Sequence, residues 1–558
     1  MNFSAAPIQN DLLHLAELFR TYFRPQIFIL FTLIVSSPAL AKEPQSPATL
    51  PSSPTPEKIF AETALGRISG KYVNLQTGLA TFQGIPYAEP PVGELRWRPP
   101  QAAQPWQTTL DCTTFGPAAP QKPITDHQDE DCLKLNIWTK KTGQTDAELP
   151  VMVWIHGGGL NKGSGHQPQY DGSNFAKKDV VLVTINYRLG ALGFLAHPAL
   201  SAESPFGDSG NYGILDQIES LKWIRNNIRF FGGDPDNVTI FGESAGGTSV
   251  SVLCCSPMAK SLFHRAIIQS PWMFGFVNNL AEPNFVPLNK SLATTLSAEK
   301  LGQQWAATLS PLRGKPLLDY LRSLEPPELL KTIGYYSTRV TTGHRVLADH
   351  PSNLFAKGQQ TDVPILMGTN RDEGKYFAGW VNIPTREKWI AKLSLFYGEA
   401  TALVAAAYPG DSPRELKAAG CRFITDSWFL QPTRSMLKGM DRIKSPGFQY
   451  LFTRANHQSP SLGSPHAIEL RYVFNTLKDA GKRPLDQKLA GQIVNYWVQF
   501  SKTGNPNGNG LPKWPEYDTQ KKSYLELNHQ IQIRHNLNPI PSNAIDQAWE
   551  RVYGPTNR

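Results

Sequence analysis

FGGDPDNVTIFGESAGG, residues 231–247, is the stretch whose reading decides the fold. The β-branched and aromatic run Asn237 to Phe241 reads as a strand, and it empties into Gly242-Glu243-Ser244-Ala245-Gly246, a G-x-S-x-G pentapeptide. A strand that meets this sequence must turn sharply before the next helix, and small residues on both sides of the serine permit that turn. The turn lifts the Ser244 hydroxyl clear of the sheet. From Gly247 to Leu253 the sequence suits a helix whose first N–H groups and positive dipole end face the serine. Small residues around a serine also make ordinary turns, so the pentapeptide alone does not decide function.

Two flanking patterns supply the context. Upstream, the apolar run Pro150 to Ile155 reads as a buried strand leading into His156-Gly157-Gly158-Gly159. Consecutive glycines let bare backbone N–H groups approach a substrate oxygen, although they also suit a flexible turn. Between the two motifs, Val180 to Ile185 has the continuous apolar character of a strand buried on both faces. Asn211 to Phe230 carries Ile214, Ile218, Leu221, Ile224 and Ile228 at helical spacing. Alternating strands and helices imply an α/β class with a largely parallel sheet, whose active residues gather at the strands' carboxyl ends. A further strand, Val363 to Gly368, leads into Thr369-Asn370-Arg371-Asp372-Glu373-Gly374.

These motifs resemble the type-B carboxylesterase family, which includes cholinesterases and bacterial para-nitrobenzyl esterases. Phe231 to Gly246 match the family's nucleophile pattern position for position, and Glu130-Asp131-Cys132-Leu133 matches its E-D-C-L signature, with Lys134 and Lys140 as departures. The likeness runs from about Ala64 to about Ala548. It implies an α/β-hydrolase fold: a large, mostly parallel central sheet with helices on both faces, and a helical insertion at Pro271 to Arg345 walling the pocket. It also implies a Ser-Glu-His triad. Ser244 is the nucleophile, Glu373 the acid by its place before Gly374, and His466 the base within G-x-x-H-G-x-E-[LI], where Ala467 replaces the usual glycine. Asp372 competes with Glu373, and His457 with His466. By the same resemblance the N–H groups of Gly158, Gly159 and Ala245 form the oxyanion hole, Glu243 and Ser270 support the triad from behind, and Cys112 pairs with Cys132 in a disulfide. The chemistry implied is ester hydrolysis through an acyl-enzyme.

Composition sets limits on this reading. The 558 residues carry a net charge of +9, with 40% hydrophobic and 18% charged residues, a soluble globular balance. No block of five basic residues or aromatic-interleaved basic stripe supports a nucleic-acid role. Residues 1–41 read as an export signal: Arg20 and Arg24 precede the apolar run Ile27 to Val35, and Ala39-Leu40-Ala41 supplies the small-residue cleavage site. That run is too short to span a bilayer of roughly 30 Å, so no stable membrane span is expected after cleavage, an uncleaved anchor being the alternative. Residues 42–60 form a Pro- and Ser-rich tether, 61–548 a single catalytic domain, and 549–558 a tail. Periplasmic or secreted localisation follows.

Cys254, Cys255 and Cys421 read as buried apolar residues. No Cys/His spacing suits a metal, and no cofactor is expected. The partner expected is a small-molecule ester, and oligomeric state is not legible. The Cys112 to Cys132 loop has no tryptophan, against a choline-type cation–π site. Trp272, Phe274 and Phe276 suit either an acyl-pocket wall or plain core. Two other readings share these features: a catalytically silent, partner-binding adhesion protein of the same fold, and a thioesterase, amidase or acyltransferase using the same triad.

Overall fold

The computed structural model describes residues 57–553 apart from 124–126, 274–276, 282–283, 286–293, 333–337, 382 and 479–482. The expected export signal, residues 1–41, lies outside the described residues. Glu57 onward forms one compact unit. Its first strand, Lys58–Ala61, pairs antiparallel with Ile68–Asn74, so ordered structure starts inside the segment assigned to the tether. At the other end the helix Pro539–Tyr553 runs through position 548, past the expected start of the tail.

Among the described residues thirteen strands make one sheet. Its parallel centre runs in the spatial order Val181–Ile185, Leu149–Ile155, Gly233–Glu243, Arg265–Gln269, Ile365–Asn370, Gly447–Phe452 and Ser523–Leu527. Antiparallel strands close both edges: Lys134–Thr139 with its neighbours on one side, Gln532–His535 on the other. The central strands carry near-continuous apolar runs, such as Val151–Ile155 and Val181–Val183, because both faces are covered. Val151, Val153 and Ile155 enter one core layer with Val183, Ile240 and Ile268. Met152 and Trp154 enter the opposite layer with Leu182, Phe241, Ile267 and Leu366. Each fully buried side chain of this size contributes about 1.5–3 kcal/mol of transfer free energy, so the sheet's centre is the rigid part of the molecule.

The strand and helix expected before the elbow are found at Val181–Ile185 and Tyr212–Asn227. The segment after Ser270 is mixed rather than purely helical. It holds helices Ala298–Ala307, Gly314–Ser323 and Pro326–Lys331, but also Val277–Asn279 paired with Val340–Thr342. A third apolar cluster gathers Phe377, Trp389, Tyr397, Phe423 and Phe429 with Ile545 and Ala548 of the C-terminal helix. Within it the helical run Arg386–Ala407 is long and apolar enough to cross a membrane by composition. It is broken by the turn Gly398–Ala400, and Trp389, Leu393, Tyr397 and Val404 are buried in the third cluster.

The disulfide expected between Cys112 and Cys132 is corrected by the structure, in which both are free, buried thiols. Each fills space in the first core layer as a small apolar side chain. Burial pushes the Cys112 thiol up to about 12 and raises Cys132 as well, disfavouring the thiolate through which disulfides form. Cys254, Cys255 and Cys421 are likewise free and buried. Glu130 of the E-D-C-L stretch accepts from Arg96 Nε at 2.8 Å, and Arg96 Nη1 donates to Leu324 O at 2.7 Å, which ties this loop to the helical insertion.

Candidate active site

The elbow is held by backbone packing. Ser244 ends the strand Gly233–Glu243 with φ 58° and ψ −122°, a conformation that side-chain-bearing residues rarely adopt and that costs about 1–3 kcal/mol. Its N–H donates to Gln269 O at 3.0 Å, and its carbonyl accepts from Thr248 N at 2.9 Å in the helix Ala245–Cys255. Gly246 must be glycine, because a Cβ there would lie 2.0 Å from Ile155 O of the neighbouring strand. The helix therefore starts almost in contact with the sheet, and its first residue, Ala245, adjoins the serine.

On the other side of Ser244 lies the triple-glycine loop. A Cβ on Gly157 would be 3.2 Å from Ser244 Cβ, so the loop packs against Ser244. Gly158 takes φ 108° and leaves no room for a side chain, since a Cβ would sit 2.0 Å from Lys162 O. Asn161 N and Lys162 N both donate to Gly158 O at 3.2 Å, and Gly190 N donates to Leu160 O at 2.7 Å. His156 stacks on Tyr187 with ring centres 4.5 Å apart, and its Nδ1 lies 2.8 Å from Gly157 O. Burial pulls His156 down to about 4, so it is a neutral structural ring and no base. Among the described residues the N–H groups of Gly158 and Gly159 donate to no protein acceptor, which leaves them available to an incoming oxygen.

The acid and the histidine arrive from the strands beyond. Glu373 follows Ile365–Asn370 and is fully buried. Its Oε2 lies 2.5 Å from His466 Nδ1, and its Oε1 accepts from Ser270 Oγ and from Asn370 N, both at 2.6 Å. Asp372 turns away: it accepts from Ser464 N at 2.9 Å and pairs with Arg371 and Lys375, each at 3.0 Å. His457 is exposed. The second nitrogen of His466, Nε2, lies 3.1 Å from Glu243 Oε1. Among the described residues Ser244 Oγ has no hydrogen-bond partner, so the imidazole rests against the residue before the serine. Burial alone would lower His466, but the charges of Glu243 and Glu373 outweigh it and push the imidazole up to about 9. Burial also raises Glu243 well above the usual carboxylate range, against the lowering effect of the His466 charge.

Four residues with no role assigned from sequence complete the frame. Asn370 Nδ2 donates to Glu469 Oε2 at 2.6 Å and to Pro465 O at 3.0 Å. Gln269 Nε2 donates to Glu469 Oε1 at 3.1 Å, and Trp497 Nε1 donates to Gln269 Oε1 at 3.2 Å. Their positions gave the only signal: Asn370 ends the strand just before Glu373, and Glu469 lies three residues after His466.

Aromatic rings pack the imidazole. Phe429, Phe377 and Tyr376 lie 4.8, 5.3 and 5.7 Å from it, centre to centre. Phe429 and Trp428 sit on a π-helical turn, Thr425–Leu430, a distortion that frequently accompanies functional sites. Trp428 stacks on Trp272 at 5.0 Å. Of the three aromatics considered for an acyl-pocket wall, Trp272 thus joins this cluster, while Phe274 and Phe276 lie outside the described residues. Among the described residues no group of three or more His, Cys, Asp or Glu is placed to hold a metal.

Comparison with known proteins gives the same affiliation. Residues 57–543 match the model of the Carboxylesterase family. The fumonisin B1 esterase of Sphingopyxis macrogoltabida is 36% identical over 510 residues, covering 87% of this chain and 89% of that protein. The para-nitrobenzyl esterase of Bacillus subtilis is 33% identical, covering 85% of this chain and 96% of that protein. Among solved structures, a para-nitrobenzyl esterase superposes with a TM-score of 0.73 at 32% identity, and a Geobacillus stearothermophilus carboxylesterase with 0.74 at 32%. Each alignment covers 87% of this chain and 99% of the other. With an α/β-hydrolase sheet, a serine elbow and these relatives, the chain belongs to the type-B carboxylesterase family and is a carboxylic-ester hydrolase.

Proposed function

We propose that this enzyme cleaves small-molecule carboxylic esters through an acyl-enzyme on Ser244. The observation that carries the reading is the 2.5 Å contact between His466 Nδ1 and Glu373, made by an imidazole whose other nitrogen lies against the residue preceding the nucleophile. In the reaction His466 Nε2 leaves Glu243 for Ser244 Oγ and takes its proton as the hydroxyl attacks the ester carbonyl. Catalytic hydrogen bonds are often loose before substrate binds and tighten in the complex. Glu373 fixes the tautomer and steadies the imidazolium, while Gly158, Gly159 and Ala245 donate N–H groups to the tetrahedral oxyanion. The imidazolium returns the proton to the departing alcohol. Water then attacks the acyl-enzyme by the same steps and frees the acid.

An organophosphonate that acylates activated serines should label Ser244, and Ser244→Ala should lower para-nitrophenyl ester turnover on the order of a millionfold. An adduct elsewhere, or unchanged turnover in the variant, overturns the reading. The N-terminal pattern supports export with cleavage after Ala41. Sequencing the mature protein from the periplasm or medium checks this, with Lys42 expected as the first residue.

A further inference from the structure

The strand that delivers the acid ends on a residue joined to nearly every part of the acid–base machinery. Asn370 is fully buried. Its backbone N–H donates to Glu373 Oε1, and its side-chain Nδ2 donates both to Pro465 O, the carbonyl before His466, and to Glu469 Oε2. Two acceptors on one atom fix which end of the amide is nitrogen. The opposite atom, Oδ1, has no donor among the described residues. The residue also lines a cavity of about 230 Å³ whose walls include Thr369, Thr425, Thr453 and Tyr524.

Glu469 is the less expected partner. A carboxylate with 1% exposure, held by two amides and no cation, is expensive to keep charged unless the frame is arranged for it. We propose that Asn370 and Glu469 are positioning residues for the esterase reaction, Asn370 clamping the acid and the histidine loop into one frame and Glu469 acting on the imidazole through its charge. The proposal rests on His466 serving as the base.

The groups facing His466 are Glu243, Glu373 and Glu469, with the rings of Tyr376, Phe377 and Phe429. Those facing Glu469 are Glu373, His466, Glu243, Tyr170 and Tyr450. Burial and the Glu373 charge push Glu469 up to about 7, against the lowering effect of its bond from Asn370. Loss of the Asn370 donor therefore favours protonated Glu469. One negative charge near the imidazole disappears, and His466 releases its proton at lower pH.

The test is the pH dependence of kcat/KM for a neutral para-nitrophenyl ester, whose acid limb reports the free enzyme's base. Glu469→Gln, which keeps the shape, should move that limb to lower pH by about half a unit or more, a change of about 0.7 kcal/mol or more. Asn370→Ala should move it the same way, and the double variant no further than Glu469→Gln alone, since both act through one carboxylate. A plateau that drops while the limb stays put in Glu469→Gln reduces both residues to structural support and overturns the proposal, even if Asn370→Ala fails to fold. Limb shifts that add in the double variant overturn the link between them. Ser244→Ala separates the two levels: if it abolishes turnover while the limb is unmoved in the other variants, only this inference fails.

Discussion

At Gly246 an added methyl group would lie 2.0 Å from a strand carbonyl, whereas at Glu373 the constraint is three hydrogen bonds, from Ser270, Asn370 and His466. The nucleophile half of the site is shaped by excluded volume. Helix Ala245–Cys255 touches the sheet at Gly246 and Gly247, and the glycine loop touches it at Gly157, where a Cβ would lie 2.6 Å from Glu243 O. The acid–base half is held mainly by side-chain hydrogen bonds from three separate strand ends, although Gly374 beside Glu373 is crowded as well, a Cβ there lying 1.9 Å from Cys421 O. Errors of different kinds should therefore disable the two halves: added atoms should disrupt the first as a structure, and lost polar contacts should disable the second as a catalyst.

The sharpest attempt to break this contrast is Glu373→Gln. The amide keeps the volume, so the protein should fold with unchanged secondary structure and thermal midpoint, but it no longer imposes the right tautomer on His466. We expect kcat to fall roughly ten-thousandfold, or about 5.4 kcal/mol, by analogy with the amide substitution in other triads. Unfolding by this variant would show that the acid also carries structural weight.

Gly246→Ala examines the other half. The added methyl cannot be placed without moving the elbow helix off Ile155, an overpacking cost of about 3 kcal/mol, read as a lowered denaturation midpoint accompanied by lost turnover. Gly159→Ala is the control. Its nearest atom would be Asn161 Nδ2 at 4.0 Å, so it meets only the backbone strain of φ 66°, about 1–2 kcal/mol. Equal damage from the two substitutions would dissolve the distinction between volume and conformation.

The same contrast explains what the sequence revealed. Gly246 and Gly157 to Gly159 stand within a few residues of the positions they make room for, so a short motif captures them. The central strands were also legible, because double burial gives them near-continuous apolar runs. Choosing Glu373 over Asp372 took a family pattern, and the physical reason lies elsewhere in the chain: Ser464 N draws Asp372 away while Ser270 Oγ meets Glu373. Asn370 meets Glu469 across 99 residues, and Gln269 meets it across 200, separations at which spacing carries no signal. Phe429 owes its place beside the imidazole to a π-helical turn that helical periodicity cannot anticipate. Cys112 and Cys132 illustrate the reverse error, since two cysteines at a pairing position are packed as apolar side chains.

Glu243 lies on the border between the halves, being part of the elbow by sequence and paired with His466 by charge. Burial lowers the imidazole, and Glu243 and Glu373 together push it up to about 9, so the acid limb of kcat/KM should lie well above the ordinary histidine value of about 6.5. Without the Glu243 carboxylate the imidazolium loses a stabilising charge and deprotonates at lower pH. Glu243→Gln should therefore move the limb down by about one unit, or 1.4 kcal/mol. An unmoved limb would mean that the Glu243 carboxyl is protonated, leaving no charge there to remove.

The smallest expected effect comes from Ala467, a position on the acid–base side where backbone shape resembles the glycine side. It adopts φ 64° immediately after His466, in a region that disfavours any residue with a Cβ. Ala467→Gly should relieve about 1–2 kcal/mol of that strain. Glycine also frees the unfolded chain, which returns about 0.4–1 kcal/mol of the gain. The net result should be a stabilisation of under about 1.5 kcal/mol, seen as a slightly raised denaturation midpoint, with kcat within about twofold of the parent because Glu373 and Pro465 still hold the ring and its loop through hydrogen bonds. A fall in rate with unchanged stability would instead show that the methyl group restrains the loop. The histidine loop would then depend on the volume of that side chain, just as Gly374 depends on the lack of one.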